Sequence, residues 1–182
     1  VVGFDHSVYN ASASDNSQYD FSIIGNAFDG SSEPGIVYVM QDENGNGLPD
    51  DTWYELKGSE YGGAETRLDY AVTYYRPDSP GQPVASTDNE GGSGQVDYLP
   101  AFHTQDYYYP AWITGDTYTL IGRKLKPRTE MITENYWVNH EYEWGYSDNF
   151  SPIDRLADDD NHNASVNCNY FKISNAVTYD GR

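Results

Sequence analysis

The chain has 182 residues, 37% of them hydrophobic, which is enough to bury one core. Its 29 acids against 10 bases give a formal charge of −19, which repels phosphate backbones and anionic lipid and sets nucleic acid aside as a partner. No run approaches the roughly 20 apolar residues that a membrane-crossing helix requires, and 18 Tyr, 4 Trp and 6 Phe at a mean hydropathy of −0.77 put the apolar mass into large rings with polar handles.

Taken in chain order, the dominant period is two. "VVGFDHSV" alternates Val2, Phe4, His6 and Val8 against Gly3, Asp5 and Ser7, which predicts an opening strand. "YDFSIIGNAF", "GIVYVMQD", "TWYELKG", "DYAVTYYRP", "DTYTLIGRKL", "YWVNHEYEWGY" and "YFKISNAV" follow with similar strand chemistry. Clusters of Gly, Pro, Asn, Asp and Ser separate them, and the stretch from Ser86 to Gln95 reads as a loop. No segment carries a sustained helical stripe. Short strands between turn-rich connections predict an all-β fold, an antiparallel jelly-roll-type β-sandwich with long polar loops, as a single domain over 1–182. "VVGFDHSVY" begins abruptly and "YFKISNAVTYDGR" stops at a turn signal, so the expectation is a fragment of a longer protein with terminal strands missing.

"QDENGNGLPDDTW" is the most informative loop. Calcium takes six to eight oxygens at about 2.3–2.6 Å from a curled loop with side-chain oxygens at alternate positions and a backbone carbonyl. Asp42, Asn44 and Asn46 stand at positions one, three and five, Gly47 permits the sharp turn, Leu48 can offer its carbonyl, and Asp50 follows at nine. The likeness to an EF-hand ends at position twelve, where Trp53 cannot ligate, and Asp51 is the residue available to close the cage. The expected cofactor is Ca²⁺; the competing reading is a metal-free hairpin loop, because Asn-Gly and Asp-rich turns need no ion.

Other constellations are read the same way. Asn26, Asp29 and Glu33 between two strands offer either a second oxygen site or a solvated turn. "HTQDYYYPAWI" places Tyr107, Tyr108, Tyr109 and Trp112 in a strand-like run whose alternate rings should face opposite sides, so that some pack in the core and some stand ready to stack on a sugar. Trp137 and Trp144 in "NYWVNHEYEWGYSDN" carry the same two readings. "DRLADDDNHN" defaults to a solvated loop. His6, His103, His140 and His162 are scattered without zinc spacing, and Cys168 stands alone, so neither a thiolate metal site nor a disulfide framework is expected. Sequon-like matches at Asn10, Asn149 and Asn163 are short enough to arise by chance. No nucleophile elbow or phosphate loop is present; Glu141 and Glu143, on one strand face by their spacing, are the nearest pair for a polysaccharide hydrolase.

Through "VVGFDHSVYN…YDFSIIGNAFDGSSEPGIVYVMQDENGNGLPDDTWYELKGSEY" the chain resembles secreted and cell-surface proteins of gut Bacteroidetes. More distantly it is similar to bacterial sandwich modules with a galactose-binding-like jelly roll, at Gly3, Phe4, Asp5, Asp20, Phe21, Asn26, Phe28, Glu33, Pro34 and Trp53. The closer resemblance continues through "VTYYRP", "DYYYPAWI", "YWVNHEYEWGY" and "FKISNAV". It implies an exported, extracellular surface protein without catalytic activity, serving nutrient capture beside an outer-membrane transporter, with a binding or structural role for Asn26 and Glu33. Glycans and corrinoids such as cobalamin are the implied cargo. The expected function is therefore a calcium-stabilised ligand-binding module. A structural or adhesive module and a hydrolase are the alternatives.

Overall fold

A computed structural model describes residues 1–134, 136–157 and 167–178. The protein is all-β, with antiparallel ladders and long polar loops, consistent with a β-sandwich. Two short 3-10 turns, Ala11–Ala13 and Ile173–Asn175, interrupt the strands. Most of the acid run, with His162 and Asn163, lies outside the described residues. The chain forms two compact units, one from residues 1–63 and 127–182 and the other from 64–126.

In the first unit, β1 (Phe21–Ile24), β2 (Gly35–Ile36), β3 (Tyr38–Met40) and β4 (Trp53–Leu56) come before the break at residue 63. Phe21 pairs with Phe171 across β1 and the later strand Asn167–Phe171, and their rings stack with centroids 5.3 Å apart. The same later strand takes Arg155–Ala157 on its other side, giving a three-stranded sheet. A second three-stranded sheet joins β3, β4 and Ala176–Thr178, with Met40 opposite Trp53 and Ala176 opposite Leu56. Leu56, Cys168, Phe171, Tyr142 and Tyr146 are buried here, the last two with ring centroids 5.0 Å apart. Burial of Cys168 matches its reading as a small apolar residue.

Much of the interior between residues 140 and 155 is polar and fully bonded. The Asn149 side chain accepts from the Tyr142 N–H and donates to the Tyr142 carbonyl, both at 2.8 Å. Asn169 accepts from the Asn149 N–H at 3.1 Å and donates to the Asn149 carbonyl at 2.9 Å. Ser151 donates to the Glu143 carbonyl and accepts from the backbone of Ile153 and Asp154. Among the described residues no buried side-chain polar atom is left without a partner, as a buried amide requires.

In the second unit, β5 (Arg67–Tyr75), β6 (Val84–Asp88), β7 (Ser93–Val96) and β8 (Thr117–Lys124) form one sheet in the order β7-β6-β5-β8. Its core is Val84, Tyr109 and Ile113 with Tyr74, Tyr108 and Tyr118 packed around them.

Four local expectations are corrected. Residues 1–8 form no strand, and all but the half-buried Val8 stay exposed, with Phe4 63% accessible, because no described strand offers them a ladder partner. The stretch from Ser86 to Gln95 is not a loop but most of the β6–β7 hairpin, closed where the Asp88 carboxylate accepts from the N–H groups of Glu90 and Gly92. "DYYYPAWI" is irregular rather than a strand, since Pro110 removes a ladder donor and the Tyr108 and Tyr109 hydroxyls bond to loop backbone. "YWVNHEYEWGY" divides into Tyr136–Asn139 and a strand beginning at Tyr146, so Glu141 and Glu143 sit in the intervening loop and share no strand face.

Candidate functional site

Residues 41–52 close the hairpin between β3 and β4. Gly45 and Gly47 have φ of 71° and 73°, left-handed values that a side chain resists, and they let the chain fold back on Asp42. The Asp42 carboxylate accepts from three backbone N–H groups, Gly45 at 2.7 Å, Asn46 at 3.2 Å and Gly47 at 2.9 Å. Asn44 and Asn46 each accept from the N–H two residues on, Asn46 at 2.9 Å and Leu48 at 2.7 Å, and so fix successive turns.

The far end of the loop returns to the same place. The Asn44 amide donates to Asp50 at 3.4 Å and Asp51 at 3.3 Å, and the Asn46 amide donates to the Asp50 carboxylate at 3.1 and 3.3 Å. Asp51 also accepts from the Glu43 N–H at 3.1 Å. Four acids, Asp42, Glu43, Asp50 and Asp51, thus share a short loop that contains no base. Each Asn carbonyl oxygen accepts one N–H and has a second lone pair, so the loop gathers carboxylate and amide oxygens of the hard type that calcium takes. Among the described residues no three His, Cys, Asp or Glu side chains form a metal-holding group. The donor set here mixes carboxylates with amides, unlike a zinc site. Leu48 is exposed at the tip, and the Trp53 indole reaches back to the Pro49 carbonyl at 3.4 Å.

Asn26 and Glu33 meet around Asp148 instead of around each other. The Asp148 carboxylate accepts from the backbone N–H of Asn26 and Ala27, both at 2.8 Å, and its carbonyl accepts from the Glu33 N–H at 3.0 Å. Asp148 itself has φ of 50°, and Gly25 leaves it room, because a Cβ there would lie 2.5 Å from its carboxylate. The Asn26 and Glu33 side chains are solvent-exposed.

The aromatic candidates separate by environment. Tyr109 is 3% exposed, lies in the core of the second unit and carries the Arg76 guanidinium 4.6 Å above its ring. Tyr108 is half-buried, whereas Tyr107 and Trp112 are exposed, Trp112 resting edge-on against Tyr118. In the first unit Trp137 is exposed on the hairpin formed by Thr129–Thr133 and Tyr136–Asn139, beside Met131, Ile132 and Tyr136. Trp144 is half-buried in the wall of a cavity of about 280 Å³.

That cavity also has Tyr19, Tyr170, Asn16, Lys57 and Lys172 in its wall. None of these five stands out in the sequence, because they come from three separated segments, around residues 16–19, 57 and 170–172, and no short spacing links the three. The only available signal is the scarcity of bases, two of the chain's ten being Lys57 and Lys172. Comparison with known proteins adds no name to this geometry: no protein-family model matches the chain, and no curated protein matches it.

Proposed function

We propose that the chain is a calcium-stabilised, non-catalytic ligand-binding module of a bacterial cell surface. The observation that carries this reading is the return of Asp50 and Asp51 onto Asn44 and Asn46 in a loop that Asp42 curls and no base neutralises. One Ca²⁺ there is held by Asp42, Asn44, Asn46, the Leu48 carbonyl and Asp50, with Asp51 or water completing the shell. The ion relieves the repulsion among the carboxylates and fixes the hairpin tip against Trp53. Exposed Tyr107, Trp112 and Trp137 support capture of a glycan or a corrinoid, since a flat ligand stacks on an accessible ring. The resemblance to exported Bacteroidetes proteins supports the surface location and a transporter as neighbour.

Titration calorimetry with calcium tests the metal directly. Wild-type protein should take up one ion, and Asp42→Ala should lose at least tenfold in affinity, about 1.4 kcal/mol. Absence of heat from wild type, or equal affinity in the variant, would sink this site. The exposed Met131, Ile132, Tyr136 and Trp137 favour a second reading, an adhesive module whose hairpin contacts another protein. A glycan and cobalamin binding screen separates the two, because the adhesive reading predicts no small-molecule hit.

A further inference from the structure

The cavity beside Trp144 stands apart from the exposed rings and from the calcium loop. Its volume of about 280 Å³ sits at the foot of the small-ligand range of roughly 300–1,000 Å³. It therefore takes one ring rather than an extended oligomer. Trp144, Tyr19 and Tyr170 provide aromatic surface, and Asn16 provides an amide.

Its electrostatics run against the rest of the molecule. Lys172 and Lys57 both contribute to the wall of a protein with net charge −19, and among the described residues neither lysine has a carboxylate at ion-pair distance. The Lys172 ammonium is positioned, since it donates to the Asn16 backbone carbonyl and lies 5.1 Å from the Tyr19 ring centroid. It also donates to the Asn16 amide oxygen at 3.4 Å, and because an ammonium has three donors, one N–H is left for a ligand. The wall's one carboxylate, Asp154, is buried and turned to internal partners, accepting from the Gly145 N–H at 2.5 Å and the Asn169 amide at 3.3 Å.

Two lysines in the wall of an aromatic, ring-sized cavity in an acidic protein favour a ligand that combines a planar or stackable face with a negative group. We infer that this cavity binds a single acidic sugar residue, a uronic acid, with its carboxylate on Lys172 and Lys57 and its ring against Trp144. This deepens the ligand-capture reading by giving it a site and a substrate class. Neutral hexoses lack the group that the lysines recognise, and small carboxylates lack the ring.

Glucuronic and galacturonic acids, glucose and acetate are the probes, titrated into the intact chain at low salt with calcium present and followed by tryptophan fluorescence and calorimetry. At least one uronic acid should bind at least tenfold more tightly than glucose or acetate. Lys172→Met and Lys57→Met should each weaken it by tenfold or more, and Trp144→Phe should weaken it without altering the preference for the acid. Melting curves that retain the wild-type calcium response show that each variant is folded.

The inference is overturned if neither uronic acid binds in the tens-of-millimolar range, if glucose or acetate binds equally well, or if both lysine variants bind as wild type does. Residues 41–52 take no part in the cavity wall. Failure here with an intact calcium response therefore refutes this site alone, and uronate binding without any calcium response refutes the metal reading alone.

Discussion

Tyr146 shows how much one side chain decides. Its ring is 2% exposed, and its hydroxyl accepts from the Glu60 N–H at 3.0 Å. Gly58 and Gly145 exist to admit it and its neighbour strand: a Cβ on Gly58 would lie 2.4 Å from the Tyr146 ring, and one on Gly145 would lie 2.4 Å from the Gly58 Cα. Burial pushes the Tyr146 hydroxyl up to about 12, with the Glu60 N–H opposing the shift and the nearby Glu60 charge adding to it. A raised folded-state value means that the fold holds the proton more tightly than the unfolded chain does. The stabilisation is complete below the ordinary value of 10.0 and is lost as the pH rises from there through about 12. Tyr146→Phe keeps the ring, leaves the Glu60 N–H without its acceptor, and should cost on the order of 1–3 kcal/mol at neutral pH. Denaturant melts at pH 8, 10 and 11.5 should show that gap narrowing with alkalinity, whereas a constant gap would mean that the hydroxyl ionises as freely in the fold as outside it. Residue identity alone did not reveal such roles. Asn149 reads as the first residue of a sequon-like match, yet it is fully buried and clamps both backbone groups of Tyr142, and Tyr109 reads like its neighbour Tyr107 although only one is core.

Elements were legible where period and turn chemistry agreed. The strand chemistry of "YDFSII", "IVYVM", "TWYEL" and "AVTYY" marks strands that form; burial alternates along the first, while the other three are half-buried or buried over most of the quoted residues. The opening "VVGFDHSV" alternates in sequence and fails, since a period states which faces match and says nothing of whether a partner strand exists. Ser86–Gln95 failed in the opposite direction: its Gly and Ser hid the hairpin that Asp88 closes by binding two N–H groups and the Tyr70 hydroxyl. The curled turn of the 41–52 loop was readable, because it resides in local Asx and Gly geometry. The cavity beside Trp144 was not, because segments around residues 16, 57, 144 and 172 meet only in the fold. The β3–β4 hairpin separates local scaffold from metal function. Replacing residues 43–50 by a two-residue Asn-Gly turn should leave far-ultraviolet circular dichroism within error and abolish calcium uptake. Retained uptake would place the ion elsewhere, and collapse of the spectrum would show that the loop itself holds β3 to β4.

At the scale of the whole molecule, the excess of acids is the main electrostatic fact. A formal charge of −19 makes the compact state self-repelling, and bound cations relieve it more effectively than screening by salt, because they sit among the charges. Asp42, Glu43, Asp50 and Asp51 concentrate that repulsion in one hairpin tip, which is where a divalent ion does most. Site-specific binding differs from general screening in its selectivity: potassium at equal ionic strength should leave the loop unaffected, and magnesium, which prefers a smaller octahedral shell, should act more weakly than calcium. Binding to the folded state alone adds about 2.7 kcal/mol when calcium stands a hundredfold above its dissociation constant. For a chain of this length that is a rise of about 5–11 °C in melting temperature. The most direct test is therefore a pair of thermal melts at constant ionic strength, one in excess chelator and one in millimolar calcium. The account predicts a calcium-dependent rise of that size in wild type and its loss in Asp42→Ala; superimposable wild-type melts in the two conditions would contradict it and leave residues 41–52 as a polar turn.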